Sequence, residues 1–88
     1  MTVKYKSSFL KDIKNIKDKK LKSRITDCIV EIKQSDRLTD LKSIKKLKGH
    51  QYAYRLRVGD YRIGLFLKND VVELARVVKR NDIYKLFP

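Results

Sequence analysis

Apolar and polar residues alternate strictly from residue 52 to residue 58, and this is the clearest pattern in the chain. One side carries Tyr52, Tyr54, Leu56 and Val58, and the other carries Ala53, Arg55 and Arg57. A period of two residues is that of a β-strand. The next two residues, Gly59 and Asp60, predict a type II′ turn because glycine occupies the first central position. Residues 61–67 therefore predict the returning strand of a hairpin.

The register of this hairpin brings arginines together. A two-residue turn places Arg57 directly opposite Arg62, and Arg55 opposite Gly64. Like charges that face each other across a strand pair destabilise the sheet. A local rule broken in this way is typical of a functional site, and a bound polyanion would compensate for it.

The first half of the chain predicts one strand and two helices. Residues 2–6 have the pattern of a short strand. A helix is predicted over about residues 8–17, with Ser7-Ser8 as its N-cap. A second helix, capped by Asp18, is predicted over about residues 20–34 from its strong apolar stripe.

The rest of the chain predicts less regular structure and one more strand. From residue 35 to 49 apolar residues recur every third position, which fits neither a long helix nor a strand, so we expect an irregular basic connector. A turn is expected at 68–70, a third meander strand at 71–78, and one helical turn within 81–87.

This order predicts a single α+β domain spanning residues 1–88. The element order is β-α-α-β-β-β, with an antiparallel sheet and a two-helix hairpin packed on one face. The arginines of the hairpin are then expected on the other face.

Charge narrows the class of partner. The formal net charge is +13 and the pI is about 10.0, which favours nucleic acid, an anionic membrane or an acidic protein as a partner. Most lysines lie in residues 1–48, whereas five of the seven arginines lie in residues 49–88. Arginine presents a rigid fork that matches phosphate, so the second half is expected to hold the phosphate.

Other classes are disfavoured by what the sequence contains. The single cysteine, Cys28, fits a reducing cytoplasm and lies on the apolar stripe of a predicted helix, where a buried structural thiol is expected. No apolar run reaches the ~18 residues of a membrane span, and no signal peptide is predicted. One histidine and ten scattered carboxylates give no metal-ligand spacing, so neither a metal nor another cofactor is expected.

The end of the chain adds two candidate groups to the arginine face. Arg80 follows the last predicted strand, and Tyr84 comes four residues later, on the same face if that segment is helical. Four guanidiniums and a phenol suit metal-free RNA cleavage, in which the 2′-hydroxyl attacks the adjacent phosphate. The spacing alone is equally compatible with a solvated basic sheet face and a core tyrosine.

Four short motifs carry a resemblance to a known family. They are Lys46-Leu47-Lys48-Gly49, Tyr54-Arg55-Leu56-Arg57, Gly59-Asp60-Tyr61-Arg62, and Lys79-Arg80 through Tyr84. In combination they resemble the RelE branch of the RelE/ParE toxin superfamily, over essentially the whole chain. The resemblance implies an mRNA interferase that enters the ribosomal A site, cuts the message there and is held inactive by a cognate antitoxin.

The resemblance also implies a role for each candidate residue. Arg55 and Arg57 match two basic strand positions that are commonly lysine in RelE. Arg62 matches the arginine that stabilises the transition state, Arg80 the one proposed to protonate the leaving 5′-oxygen. Tyr84 matches the tyrosine that orients the substrate. Because arginine hardly loses its proton, the general base is left open, with Tyr84 as the better candidate.

The partners follow from the same resemblance. By their charge, Lys45, Lys46 and Lys48 are expected to contact RNA phosphates, and His50 in the same basic stretch is a candidate RNA contact. An antitoxin, acidic where it contacts the basic face, is expected to form a hetero-oligomer with this chain in the cytoplasm. Two alternatives are a ParE-like inhibitor of DNA gyrase, and a non-catalytic basic module that binds RNA or protein.

Overall fold

The computed structural model describes residues 1–88 and contains one sheet of five strands with three helices. The strands are β1 (Thr2–Tyr5), β2 (Ile44–Lys46), β3 (Ala53–Val58), β4 (Tyr61–Lys68) and β5 (Val71–Lys79), and the helices are α1 (Ser7–Asn15), α2 (Lys19–Gln34) and α3 (Ile83–Leu86). A single turn of 3-10 helix spans Leu38–Asp40. No helix is long and apolar enough to cross a bilayer.

The central hairpin has the predicted register. Arg57 pairs with Arg62, and Arg55 pairs with Gly64. Gly59 has φ of +59°, the conformation that a type II′ turn requires at its first central position. A second tight turn, with positive φ at both Asn69 and Asp70, joins β4 to β5.

The α+β class and the two-helix layer are confirmed, with two differences in the sheet. The strand order is β1-β5-β4-β3-β2, and β1 runs parallel to β5, so the sheet is mixed and not wholly antiparallel. The expectation of an irregular connector over residues 35–49 was wrong in part, because this segment contains β2. That strand has only three residues and is held by pairing with β3, from Ile44 opposite Leu56 to Lys46 opposite Tyr54.

The main core lies between the sheet and the two long helices. It joins Phe9, Ile25 and Ile32 of the helices to the inward-facing residues of β3, β4 and β5, all almost fully buried. The Asp18 N-cap is confirmed, since its carboxylate accepts hydrogen bonds from the backbone N–H groups of Lys20 and Leu21.

The predicted Ser7-Ser8 cap of α1 was wrong. Lys6 occupies the N-cap position without a side-chain bond, and the hydroxyl of Ser8 donates instead to the carbonyl of Ala75 at 2.6 Å. The backbone of Lys6 still donates to Leu74, so the helix begins directly where pairing with β5 ends.

Strand β5 contains a bulge that α1 covers. Gly64 pairs with Arg76 whereas Leu65 pairs with Leu74, which leaves Ala75 as an extra residue. Beyond this bulge, Asp12 accepts a hydrogen bond from the backbone of Val77 at 3.0 Å. It also accepts two from the guanidinium of Arg76, at 2.8 and 3.1 Å. Side chains of α1 thus occupy the edge of β5 that β1 is too short to reach.

A second, smaller apolar cluster lies on the other sheet face, beneath α3. It contains Leu47, Ala53, Ala75, Ile83 and Phe87. The ring of Phe87 lies directly over Gly64, where a Cβ atom would come within 2.5 Å of the ring carbon Cγ. The end of the chain is therefore packed onto the face that carries the arginines.

Candidate active site

One arginine of the pair at the end of the hairpin, Arg62, is held by backbone carbonyls. The guanidinium of Arg62 donates to the carbonyl oxygens of Gly59 at 2.8 Å and Tyr61 at 2.9 Å. Arg57 lies opposite it and is exposed. Two carbonyl dipoles thus offset part of the repulsion, and no carboxylate forms a salt bridge with either arginine.

Arg55 and Tyr84 meet across the sheet face. The Nε–H group of Arg55 donates to the hydroxyl of Tyr84 at 3.0 Å. The phenol is nonetheless 67% exposed, so its ring is open to a ligand. Tyr84 is therefore not the core residue that the alternative interpretation of the sequence required.

Arg80 is tied to the same end of the hairpin. Its backbone N–H donates to the carbonyl of Asp60 at 2.9 Å, and Lys79 directly before it pairs with Tyr61. This places the start of the final segment beside the hairpin turn and close to Arg62.

The pKa of Arg62 is affected by its partial burial and by the arginines around it. Partial burial lowers the pKa of Arg62 below its ordinary value. The neighbouring cations of Arg55, Arg57 and Arg80 lower the pKa of Arg62 further, whereas Tyr84 raises it. The structure thus brings together all five residues that the sequence proposed as catalytic.

A shallow cavity of about 260 Å³ opens beside the cluster, between β2 and β3. Its walls are formed by Lys42, Ser43, Ile44, Lys45, Arg55, Arg57 and Arg62. Lys45 reaches it because it lies directly opposite Arg55 in the β2–β3 pair. The sequence did not predict Lys42 and Ser43 as site residues, since only the pairing of β2 with β3 brings them to the cavity.

The other predicted RNA contacts lie elsewhere. Lys46 lies opposite Tyr54 and so falls on the helix side of the sheet edge. Lys48 and His50 lie in the loop before β3, at the end of that strand remote from Arg57, and line a separate open concavity. Of the four residues, only Lys45 lines the arginine cavity, and RNA contact by all four stays a prediction.

This arrangement can bind and polarise a phosphodiester. Guanidiniums offer several fixed N–H donors and stay charged, so they stabilise the extra negative charge of a pentacovalent phosphate. The exposed phenol can stack on a base or move a proton. The walls of the cavity add two lysines, which suit neighbouring phosphates as point charges.

Comparison with known proteins assigns the family. The chain is 42% identical to Toxin RelE3 of Methanocaldococcus jannaschii, over the full length of both proteins. The chain belongs to the RelE toxin family, the toxin component of RelBE toxin–antitoxin systems. The resemblance inferred from the short motifs is thereby confirmed, although no family model matches the chain.

Solved structures of RelE proteins share the fold. The RelB-RelE antitoxin-toxin complex from Methanococcus jannaschii matches with a TM-score of 0.81 and 38% identity, covering 97% of this chain and 99% of that chain. An archaeal RelE-RelB complex from Pyrococcus horikoshii matches with a TM-score of 0.74 and 20% identity, over 93% and 97% of the two chains. At this lower identity the match supports the RelE fold alone.

Proposed function

We propose that this protein is an endoribonuclease that cleaves mRNA in the ribosomal A site and thereby inhibits translation. The observation that carries the proposal is the convergence of four arginines and an exposed tyrosine on one sheet face, centred on Arg62. Membership of the RelE family supports it independently.

The proposed reaction needs the 2′-hydroxyl of the substrate. This oxygen attacks the adjacent phosphorus, the bond from phosphorus to the 5′-oxygen breaks, and the products are a 2′,3′-cyclic phosphate and a 5′-hydroxyl. Arg55, Arg57 and Arg62 stabilise the charge of the transition state. One proton leaves the 2′-hydroxyl and one reaches the 5′-oxygen.

Arg80 and Tyr84 are proposed to serve the two ends of the reaction. Arg80 faces the leaving 5′-oxygen and gives it a proton as the bond to phosphorus breaks, because a departing alkoxide is more basic than a neutral guanidine. Tyr84 orients the nucleotide by stacking and receives or relays the proton of the 2′-hydroxyl. The hydrogen bond from Arg55 supports this assignment, because it fixes the phenolic oxygen within the cluster.

An antitoxin is the proposed protein partner. The similar structures from Methanococcus jannaschii and Pyrococcus horikoshii are both complexes with RelB. A partner that is acidic where it covers Arg55, Arg57 and Arg62 would neutralise the uncompensated charge of this face. The same contact would close the face to RNA, and the toxin and antitoxin would form a hetero-oligomer in the cytoplasm.

Induced expression with mapping of mRNA ends tests the enzymatic proposal. Wild type should arrest growth and produce new 5′ ends inside reading frames. Arg62→Ala should lower the cleavage rate by about 100- to 1000-fold, as loss of one fixed transition-state donor does. Lys22→Ala, which removes an exposed charge from the helix layer, is the matched control and should cleave like wild type.

Tyr84→Phe separates the two roles of the phenol. If the hydroxyl moves a proton, cleavage should fall by about 100-fold or more. Full activity of Tyr84→Phe would leave stacking as the only role. Intact messages after induction of wild type would refute the nuclease. A DNA-damage response with intact messages, unaffected by Arg62→Ala, would instead favour a gyrase inhibitor.

A further inference from the structure

The last four-residue helix, α3, is too short to hold its own position. Helices of this length are unstable in water without tertiary packing. Yet α3 carries Tyr84, whose ring is mostly exposed and makes one side-chain hydrogen bond, to Arg55. Something other than helix propensity must fix the phenol relative to the arginines.

Two buried side chains flank the phenol and supply that fixation. Ile83 is 0% exposed and Phe87 is 3% exposed, and both belong to the small apolar cluster beneath α3. The ring of Phe87 also lies 5.0 Å from that of Phe66. Tyr84 thus projects from a short segment that is pinned on both sides.

Phe87 can reach its position only because residue 64 has no side chain. A Cβ atom on Gly64 would lie 2.5 to 2.9 Å from three carbons of the Phe87 ring, closer than carbon atoms approach without displacement. Gly64 pairs directly with Arg55, the residue that binds the phenol. The slot and the arginine therefore occupy neighbouring positions in the same strand pair.

We infer that Phe87, seated over Gly64, is a positioning residue that sets the reach of Tyr84 into the arginine cluster. This inference rests on the proposed function for its catalytic consequence, although the seating itself is a property of the free protein. Phe87 touches no reacting atom. It acts only through the placement of Tyr84.

A cycle of single and double substitutions tests the catalytic consequence. In single-turnover cleavage on programmed ribosomes, Phe87→Ala should slow the reaction by about 100-fold, since displacement of a catalytic group by about 1 Å can cost that much. In a Tyr84→Ala background, Phe87→Ala should change the rate by no more than about twofold. If Phe87→Ala slows cleavage by the same factor in the Tyr84→Ala background as in wild type, the inference is overturned.

A second cycle tests the slot. Gly64→Ala should slow cleavage because the new methyl group evicts the ring of Phe87. The same substitution should have little further effect in the Phe87→Ala background, where there is no ring to evict. Full activity of Gly64→Ala would overturn the proposed seating.

A spectroscopic test is independent of any nuclease activity. With fluorinated tyrosine in the chain, the ¹⁹F resonance of Tyr84 can be assigned by its absence in Tyr84→Phe. Phe87→Ala should move this resonance toward that of an unstructured tyrosine while the other four stay in place. A resonance that does not move would refute the positioning role, and four unmoved resonances confirm that the fold survives. If wild type fails to cut mRNA but the resonance shifts, only the proposed function is lost.

Discussion

Replacement of Arg57 by glutamine should stabilise the protein while it impairs function. Arg57 lies opposite Arg62 and two residues from Arg55 on the same strand face. Two unit charges about 7 Å apart in a medium close to water repel by about 0.6 kcal/mol. Arg57→Gln removes two such repulsions, so we expect a gain of about 1 kcal/mol in the free energy of unfolding at low salt.

Thermal unfolding at two salt concentrations measures this gain. For a domain of this size about 1 kcal/mol corresponds to a rise of roughly 4–8 °C in Tm. At about 1 M salt the Debye length falls to about 3 Å, and the gain should largely disappear. Arg57→Lys keeps the charge and should show no gain. Arg37→Gln makes the same chemical change at an exposed arginine beside Asp40 and should show none either.

Two results would refute the electrostatic reasoning. One is an equal gain for Arg57→Gln and Arg57→Lys, which would trace the effect to packing. The other is a gain that persists undiminished at high salt. RNA cleavage should be measured on the same samples, because we expect Arg57→Gln to be both more stable and less active than wild type.

One further substitution and one chemical modification probe the packing. Asp12→Asn should lower the free energy of unfolding by about 2 kcal/mol in urea titrations. The substitution weakens the charge-assisted bonds to the half-buried Arg76 and leaves that cation unpaired. A change within experimental error would contradict this. Burial raises the pKa of Cys28 above its usual value, and the nearby carboxylate of Glu31 raises it further. The folded pKa is raised, so the stabilisation is present at neutral pH and is lost as pH rises through the raised value. Alkylation of the folded protein at mildly alkaline pH should therefore be slower than that of a cysteine peptide, and urea should abolish the difference.

The hairpin could be predicted from sequence because two independent local signals agree there. The alternation fixes which residues share a face, and the Gly59-Asp60 turn fixes the pairing. Together they specify the opposition of Arg57 and Arg62 without any tertiary information.

The remaining features depend on contacts distant in sequence. Strand β2 has three residues and no periodicity of its own, and only its pairing with β3 makes it a strand and brings Lys42 to the cavity. The hydroxyl of Ser8 has the chemistry of a cap, but the helix already begins at Ser7, so Ser8 lies inside it and its hydroxyl donates to a carbonyl of β5. Likewise, nothing local in the sequence indicates that Gly64 leaves room for an aromatic ring from the end of the chain.

The bulge in β5 has a consequence for how this protein tolerates changes of length. Leu74 and Val77 both contact the main core although they are three positions apart, and Ala75 absorbs the extra residue. Loss of Ala75 would restore a regular ladder and leave the residues on either side facing as before, at the cost of one small buried side chain. A deletion elsewhere in β4 or β5 would instead turn every later residue of that strand over, exchanging core for surface. We therefore expect length variation among related toxins in the β4–β5 hairpin to concentrate at the bulge and at the turns.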